Sequence, residues 1–390
     1  MRIAEVTPLV MGATWRNLTF VRVRTDEGLV GVGEVRMVNQ TQALLGYLEH
    51  AIPTYVLGSD PFDIESLVQR MMRNDFERSG NIVMSGISAV EIACWDIIGK
   101  AAGVPVYKLL GGGVRDRIKA YANGWYTVER TPQEFRAAAQ RVIEKGYQAL
   151  KIDPFGAGTF ELSGAERSHS LELVEAVRDA IGPDAELMIE MHGRFTPATA
   201  ISLARDLERF RPTWIEEPVP PDNIKALQRV SHHVSIPVAT GERIHTRHEF
   251  RELFERQACD IVQADTTTCG GIAEAKKIAA WAESYYLMVA PHNVGGPVAT
   301  AAAIHLAAST PNFKIQEHFN DFAESHVKAS APGNPEVVGG YFTLPQKPGL
   351  GVELNEDVVL ANPPKRFHFD LFNDNWHLRQ GQLANSATGA

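Results

Sequence analysis

Seven ionisable residues stand at or near the ends of short apolar runs: Asp153, Glu190, Glu216, Glu242, Asp265, His292 and Glu317. From Glu190 onward they recur about every 25 residues, roughly the length of one βα unit in a parallel barrel. The same point of each successive strand thus carries a side chain able to do chemistry, and barrels gather such points at one mouth. Glu190, Glu216 and Glu242 fall on three consecutive strands. Uncompensated, they would repel and raise one another's pKa. A hard divalent cation removes the conflict, and an all-oxygen set favours Mg²⁺, with Mn²⁺ as a substitute, over zinc. Any one glutamate read alone is a solvated loop residue or half of an ion pair. Three in register favour the metal.

His192 lies two residues beyond Glu190 in MIEMHGRF. An extended chain points both side chains to one face, which sets His192 beside the cation. Asp265 and His292 end neighbouring strands. An aspartate beside a histidine orients the ring and raises its basicity, the usual support of a proton-transfer histidine. The alternative, a satisfied buried His292, is disfavoured by the register with Asp265. Glu317 is expected to face the cation across the mouth. Lys151 and Asp153, two apart, share a face of the second barrel strand.

Such a mouth needs strands that alternate with helices. Eight short apolar runs, from AYANGWY (120–126) to FKIQEHF (313–319), alternate with seven amphipathic runs of helical length. A parallel barrel is predicted. A doubly wound sheet would alternate likewise, but it usually carries a GxGxxG turn, which is absent. Upstream, residues 3–36 read as strands around a hairpin at TDEG (25–28). Residues 38–103 read as helices, so the two make a small α+β unit. Beyond 319 the chain is irregular, and its last residues, QGQLANSATGA, read as a loose tail.

The 390 residues are 44% hydrophobic and 22% charged, an ordinary globular composition with ample core. The net charge is −9 and no basic block or basic helix face occurs, which argues against nucleic acid. Three cysteines, Cys94, Cys259 and Cys269, show no CxxC spacing and fit a reduced, cytoplasmic setting. The opening MRIAEVTPLV has no apolar core behind a basic cap, so no signal peptide is expected. No run of eighteen apolar residues is evident, so no membrane span is expected either.

Several motifs, weak singly and specific in order, resemble the enolase superfamily in its mandelate racemase subgroup. They are TDEGLVGVGEV, MSGISAVEIACWDIIGK, HGR, WIEEPV, GER, the segment from Asp265 to Gly-Gly-Ile, APHN, the Gln-Glu of the last strand and VGGYFTLPQKPGLGVELNED. Within the subgroup, the chain is most similar to galactonate dehydratase-like sugar-acid dehydratases. The resemblance spans nearly the whole chain. It implies a (β/α)7β TIM-like barrel beneath an α+β capping domain, assembled as a homo-oligomer. Residues 1–115 would form the cap, 116–320 the barrel, and 321–390 a segment packing back on the cap. Glu190, Glu216 and Glu242 would be the Mg²⁺ ligands, with Glu190 standing where the family commonly has aspartate. Asp153 stands where many members carry a second catalytic lysine. Galactonate dehydratases also lack that lysine, and they carry a histidine matching His192.

The expected chemistry is dehydration of a sugar acid, aldonate or aldarate, to a 2-keto-3-deoxy acid. His292, held by Asp265, takes the α-proton; Mg²⁺ stabilises the enediolate; His192 protonates the departing β-hydroxyl. Glu317 assists at the second carboxylate oxygen, as a hydrogen-bond donor or neighbour. Lys151, Asp153, Arg194 and His245 are expected to meet the substrate's carboxylate or distal hydroxyls. Trp15 and Asn17, with Arg16, lie in a loop resembling the family's substrate loop. The rival activities are epimerisation or racemisation, lactone cycloisomerisation, and sugar-acid binding without turnover. Racemisation needs two bases flanking one carbon, and Asp153 is a poor second base at neutral pH. A barrel metal hydrolase would open with an HxH strand, which this chain lacks. The partner expected is thus a small sugar acid, with neither nucleic acid nor membrane.

Overall fold

The computed structural model describes residues 1–74, 76–77, 79–380 and 382–383. Three strands, β1 (Ile3–Gly12), β2 (Asn17–Thr25) and β3 (Val30–Val35), pair antiparallel in chain order. Helices α1 (Thr41–Ala51), α2 (Ile64–Arg73), α3 (Asn81–Ala102) and the short α4 (Val106–Leu109) follow. Helix α3 lies directly on the sheet: a Cβ on Gly33 would meet the Ala89 carbonyl oxygen at 1.8 Å. The glycines of GVG therefore allow the backbones to touch. By length and mean apolar character α3 could cross a membrane, although Glu91, Asp96 and Lys100 interrupt its apolar run. It is a core helix here, with 83% of its apolar stretch buried inside the protein.

Eight strands then pair in parallel in chain order: β4 (Arg117–Ala122), β5 (Ala149–Ile152), β6 (Glu186–Glu190), β7 (Trp214–Glu216), β8 (Val238–Thr240), β9 (Ile261–Val262), β10 (Met288–Val289) and β11 (Gln316–His318). Strand β11 pairs with β4, and Val289 bridges to Phe313, which closes the ring. Seven helices make the crossovers: α5 (Pro132–Glu144), α6 (Gly164–Ile181), α7 (Pro197–Leu207), α8 (Ile224–Ser231), α9 (Thr246–Glu255), α10 (Ile272–Glu283) and α11 (Pro297–Ser309). The architecture is a (β/α)7β barrel with an α+β cap. The ladders are shorter than the apolar runs. Asp153, Glu242, Asp265 and His292 lie past the last paired residue of their strands.

How the barrel helices begin explains how the cap is held. Helices α5, α6, α7 and α8 start on their own caps, Thr131, Ser163, Thr196 and Asn223, whose side chains accept from the first-turn amides. Helices α10 and α11 start at glycines and have no such cap. The other domain supplies one. Glu91 of α3 accepts from the amides of Ile272 and Ala273, both at 2.8 Å. Glu34 of β3 accepts from Gly296, Val298 and Ala299, the last two at 3.0 Å. Each carboxylate thus meets orphan donors and the positive end of a helix dipole across the domain boundary.

After α12 (Ser325–Ala329) the chain does more than return to the cap. Strands β12 (Val337–Val338) and β13 (Tyr341–Thr343) form a hairpin, and β13 extends the barrel sheet antiparallel to β4. Helix α13 (Glu356–Ala361) packs on β1. Strands β14 (Phe367–His368) and β15 (Gln382–Leu383) then clasp a loop over the barrel mouth. Most of the expected tail, 380–390, lies outside the described residues.

Burial is the largest influence on Glu34 and Glu91, and it lifts both carboxyls from 4.5 to about 7 despite the bonds they accept. The folded protein therefore holds protons that the unfolded chain releases, so this contribution to stability declines as pH rises from about 4.5 to 7. Glu34→Ala or Glu91→Ala leaves buried amides unpaired and should cost about 3 kcal/mol, read as a lower thermal midpoint. Glu→Gln at both sites should flatten the midpoint's decline between pH 5 and 8. A decline as steep as the wild type's would show that other groups cause it.

Candidate active site

Strand order places the polar side chains around one mouth. Lys151 comes from β5, Glu190 from β6, Glu216 from β7, Glu242 from the turn after β8 and Glu317 from β11. The Lys151 Nζ sits among three of the carboxylates: bonded to Glu216, 3.0 Å from Glu317 Oε1 and 3.2 Å from Glu190 Oε2. Backbone and side-chain donors fix the same groups. Glu190 Oε1 accepts from the His192 amide at 2.7 Å, and Glu216 Oε2 from the Trp214 indole at 2.8 Å. Glu317 accepts from the Asn123 side chain and the Asn293 amide, both at 2.7 Å.

One carboxylate oxygen from each of Glu190, Glu216 and Glu242 lies within 4.8 Å of the others. That all-oxygen donor set fits a hard divalent cation. Burial first, then the charge of Glu216, pushes Glu190 well above the usual carboxylate range. Burial also opposes ionisation of Glu242, but His292 and Arg243 outweigh it and hold that carboxyl at about 2. Burial would lower Lys151, yet Glu216 and Glu317 keep it charged, well above its ordinary value. Glu317, which burial would raise, is held below its ordinary value by Lys151 and His292. Its oxygens accept from Asn123, Asn293 and Lys151 here.

Two histidine–aspartate pairs flank this cluster. His292 Nδ1 lies 2.7 Å from Asp265 Oδ2, and its Nε2 lies 3.1 Å from Glu242 Oε2. Asp265 Oδ1 accepts from the amide and hydroxyl of Thr267, both at 2.7 Å, so the carboxylate cannot rotate away. Burial would depress His292, but Glu242, Glu317 and Asp265 raise it to about 9. His192 Nδ1 bonds to Asp153 Oδ2. There burial outweighs the pull of Asp153, and the ring titrates below its ordinary value.

The route to the second pair differs from the sequence expectation. Strand β6 ends at Glu190, and His192 has φ 47 and Gly193 φ 65. Strand alternation therefore does not extend to His192, although both side chains border the same cavity. A Cβ on Gly193 would meet Arg243 Nη2 at 2.0 Å, so glycine is required both for the φ and for the approach of that arginine. Arg243 is in turn held by Glu217, with Nη2 at 2.6 Å and Nε at 3.1 Å from one carboxylate oxygen.

A cavity of about 210 Å³ opens on these groups, bordered by Lys151, Glu190, Glu242, His192 and His292. Of the residues expected to touch substrate, Lys151 and Trp15 line it and four others do not. Asp153 is fully buried and engaged by His192, by Arg194 and by the Phe155 amide. Arg194, also buried, pairs with Asp153 and donates to the Gly156 carbonyl at 2.7 Å. Asn17 exchanges bonds with the Lys365 backbone at 2.9 and 3.1 Å. His245 precedes α9, where its amide donates to Glu249 at 2.8 Å. Residues that sequence reasoning missed complete the wall: Arg36, Asn123, Phe319, Phe369, Trp376 and Arg379. Phe319 carried a signal, two residues beyond Glu317 and just past the end of its strand; Trp376 and Arg379, three apart in irregular chain, carried none. A larger open groove of about 760 Å³ borders Arg243 from outside and touches none of the three clustered glutamates.

Residues 4–111 match the mandelate racemase / muconate lactonizing enzyme N-terminal domain, and residues 134–358 match the enolase C-terminal domain-like family. The chain is 35% identical to a D-galactonate dehydratase of Pectobacterium atrosepticum, over 98% of this chain and all of that one. It is 34% identical to a D-gluconate dehydratase of Thermoproteus tenax, over 92% of this chain and 73% of that one. Among solved structures, a mandelate racemase/muconate lactonizing enzyme-like protein from Roseovarius superposes with a TM-score of 0.88 at 36% identity, covering 93% of this chain and 96% of that one.

Cation binding can be read directly with Mn²⁺ by electron paramagnetic resonance. Glu216→Gln removes a donor and should weaken binding by more than about 100-fold, and Trp214→Phe, which frees Glu216 to rotate, by about tenfold. Wild-type affinity in Glu216→Gln would place the ion elsewhere.

Proposed function

The chain belongs to the mandelate racemase / muconate lactonizing enzyme family of the enolase superfamily, and on that premise we propose that it is a hydro-lyase that dehydrates a sugar acid to a 2-keto-3-deoxy acid. The observation that carries this reading is the pair of histidine–aspartate dyads on opposite sides of one mouth. His192 follows β6 and His292 follows β10, four strands apart in a ring of eight. β-Elimination needs one group to remove a proton and another to deliver one to the leaving hydroxyl.

Glu190, Glu216 and Glu242 would hold Mg²⁺. The ion supplies positive charge that acidifies the substrate's α-carbon proton, and it takes up the Glu242 charge that otherwise favours protonated His292. His292 Nε2 is the proposed base, because Nδ1 is committed to Asp265. His192 Nε2 is the proposed acid, because Nδ1 is committed to Asp153. Arg194 draws on the same Asp153 carboxylate and so weakens its hold on a proton at His192, which suits proton donation. Lys151 and Glu317 fix each other and the floor of the site.

The His192–Asp153 dyad also supports a second reading. A histidine so held can serve as a second base, which an epimerase or racemase requires. Incubating sugar acids with Mg²⁺ in D₂O separates the two: a keto acid trapped by semicarbazide supports the dehydratase, and exchange at Cα without keto acid supports the epimerase. For the dehydratase, His292→Asn should abolish both Cα exchange and keto-acid formation, by about 10²–10⁴-fold. His192→Asn should lose keto acid while retaining Cα exchange. Full dehydration by His292→Asn would remove that histidine from the base role.

A further inference from the structure

The wall of the cavity contributed by the cap and the C-terminal loop carries an unbalanced positive charge. Arg36 and Arg379 line it. Arg379 is only 8% exposed; among the described residues its Nη1 has no partner, and the hydrogen bond it makes is from Nη2 to the Tyr126 hydroxyl at 3.3 Å. Arg16 stands behind this wall, 1% exposed, with Nε, Nη1 and Nη2 all unpartnered. Its guanidinium lies between the rings of Trp15 and Phe319, 4.7 Å from each centroid. Arg379 lies over the same Phe319 ring at 4.6 Å and the Tyr126 ring at 5.1 Å. Among the described residues, none of the three forms an ion pair.

The nearby acids are already committed. Glu34 caps α11, and Glu324 accepts from the Thr14 amide at 2.6 Å. Arg243, the other arginine on the cavity, is satisfied by Glu217. Burial is the largest influence on Arg16 and brings it down to about 9; the charge of Glu324 and, less, of Glu34 pulls the other way, while Arg36 and Arg379 add to the fall. Stacking on aromatic faces offsets only part of the cost of burying such cations. The cavity is therefore polarised. Its floor gathers carboxylates and suits a cation with the reacting carboxylate, while this wall gathers guanidiniums that no carboxylate among the described residues pairs directly.

We infer that this wall binds a second carboxylate, so the acid taken is a dicarboxylic sugar acid, an aldarate, in preference to a monocarboxylic one. The inference rests on the dehydration reading for the orientation of the substrate. Arg379 and Arg36 present planar forks that match a carboxylate. Arg16 acts through Trp15 and Phe319 as a positioning residue. A terminal phosphate offers the same anionic chemistry, so the test includes it.

The wild-type protein with Mg²⁺ would be given six-carbon acids of matched configuration: the aldarate, the aldonate and the 6-phosphoaldonate. We expect kcat/KM for an aldarate to exceed that for its aldonate by about 100-fold. Arg379→Met and Arg36→Gln should each lower that ratio at least about tenfold. Calorimetry with adipate and 6-hydroxyhexanoate, neither of which has a hydroxyl on the carbon β to a carboxylate, reads the wall independently of turnover. Adipate should bind about 30-fold more tightly. Equal or better use of aldonates or phosphoaldonates, or equal binding of the two unreactive acids, overturns the inference. Should no acid be turned over, the dehydration reading fails, and the adipate comparison alone decides this one.

Discussion

Glu190, Glu216 and Glu317, all buried, and the half-buried Glu242 gather at one barrel mouth, and carboxylates so placed repel unless positive charge reaches them. Lys151 supplies part of it from the neighbouring strand. Its ammonium touches three of the four, so the cluster persists as a geometry rather than splaying apart. The four are not equivalent. Glu216 is fixed by Lys151 and Trp214, Glu317 by Lys151, Asn123 and Asn293, and Glu190 by the His192 amide. Glu242 is 15% exposed at its side chain and meets His292 and, more distantly, Arg243. It is the least restrained of the set and the one that faces the cavity with a histidine beside it. Preorganised charge of this kind exerts its effect without reorganising during a reaction.

The mouth becomes a cavity only because other parts of the chain are held over it. The cap is fastened by Glu34 and Glu91, which terminate two barrel helices that lack caps of their own. That arrangement makes the first turns of α10 and α11 dependent on the cap, and the cap's position dependent on those turns. It sets Trp15 and Arg36 over the barrel. The C-terminal loop closes the other side. Trp376 donates to the Gly156 carbonyl at 2.9 Å and packs edge-on against His192. Asn39 of the cap exchanges two 2.8 Å bonds with the Phe369 backbone. Cap, barrel and C-terminal loop therefore meet at the site, and each contributes a wall.

Much of this was legible in the sequence for one physical reason. A βα unit has a nearly constant length, so residues at equivalent strand ends recur with a period that can be counted. Glu190, Glu216, Glu242, Asp265, His292 and Glu317 obey it and converge. The alternation rule that placed Asp153 and His192 holds only while the backbone stays extended. It failed at His192, where two left-handed residues turn the chain, and Asp153 became the partner of His192 rather than a contact for substrate. Asn17 and His245 are polar residues at element boundaries, where backbone groups compete for them. Trp376 and Arg379 lie in irregular chain with no period to read, and only tertiary contacts bring them to the mouth.

The two dyads illustrate how one pattern yields two acidities. Both histidines give Nδ1 to an aspartate, so pairing alone cannot distinguish them. What differs is the rest of each carboxylate's surroundings. Asp265 is oriented by a neutral threonine, and its histidine also faces Glu242 and Glu317, so positive charge on His292 is favoured from several sides. At His192 burial outweighs the pull of Asp153, which is shared with the buried Arg194, and the Trp376 ring adds an apolar face. Positive charge on His192 is correspondingly less favoured. Sites that run acid and base chemistry together depend on such separation of pKa values. Here burial opposes charge on both rings; extra carboxylates overcome it at His292, while at His192 it prevails and Arg194 adds to it.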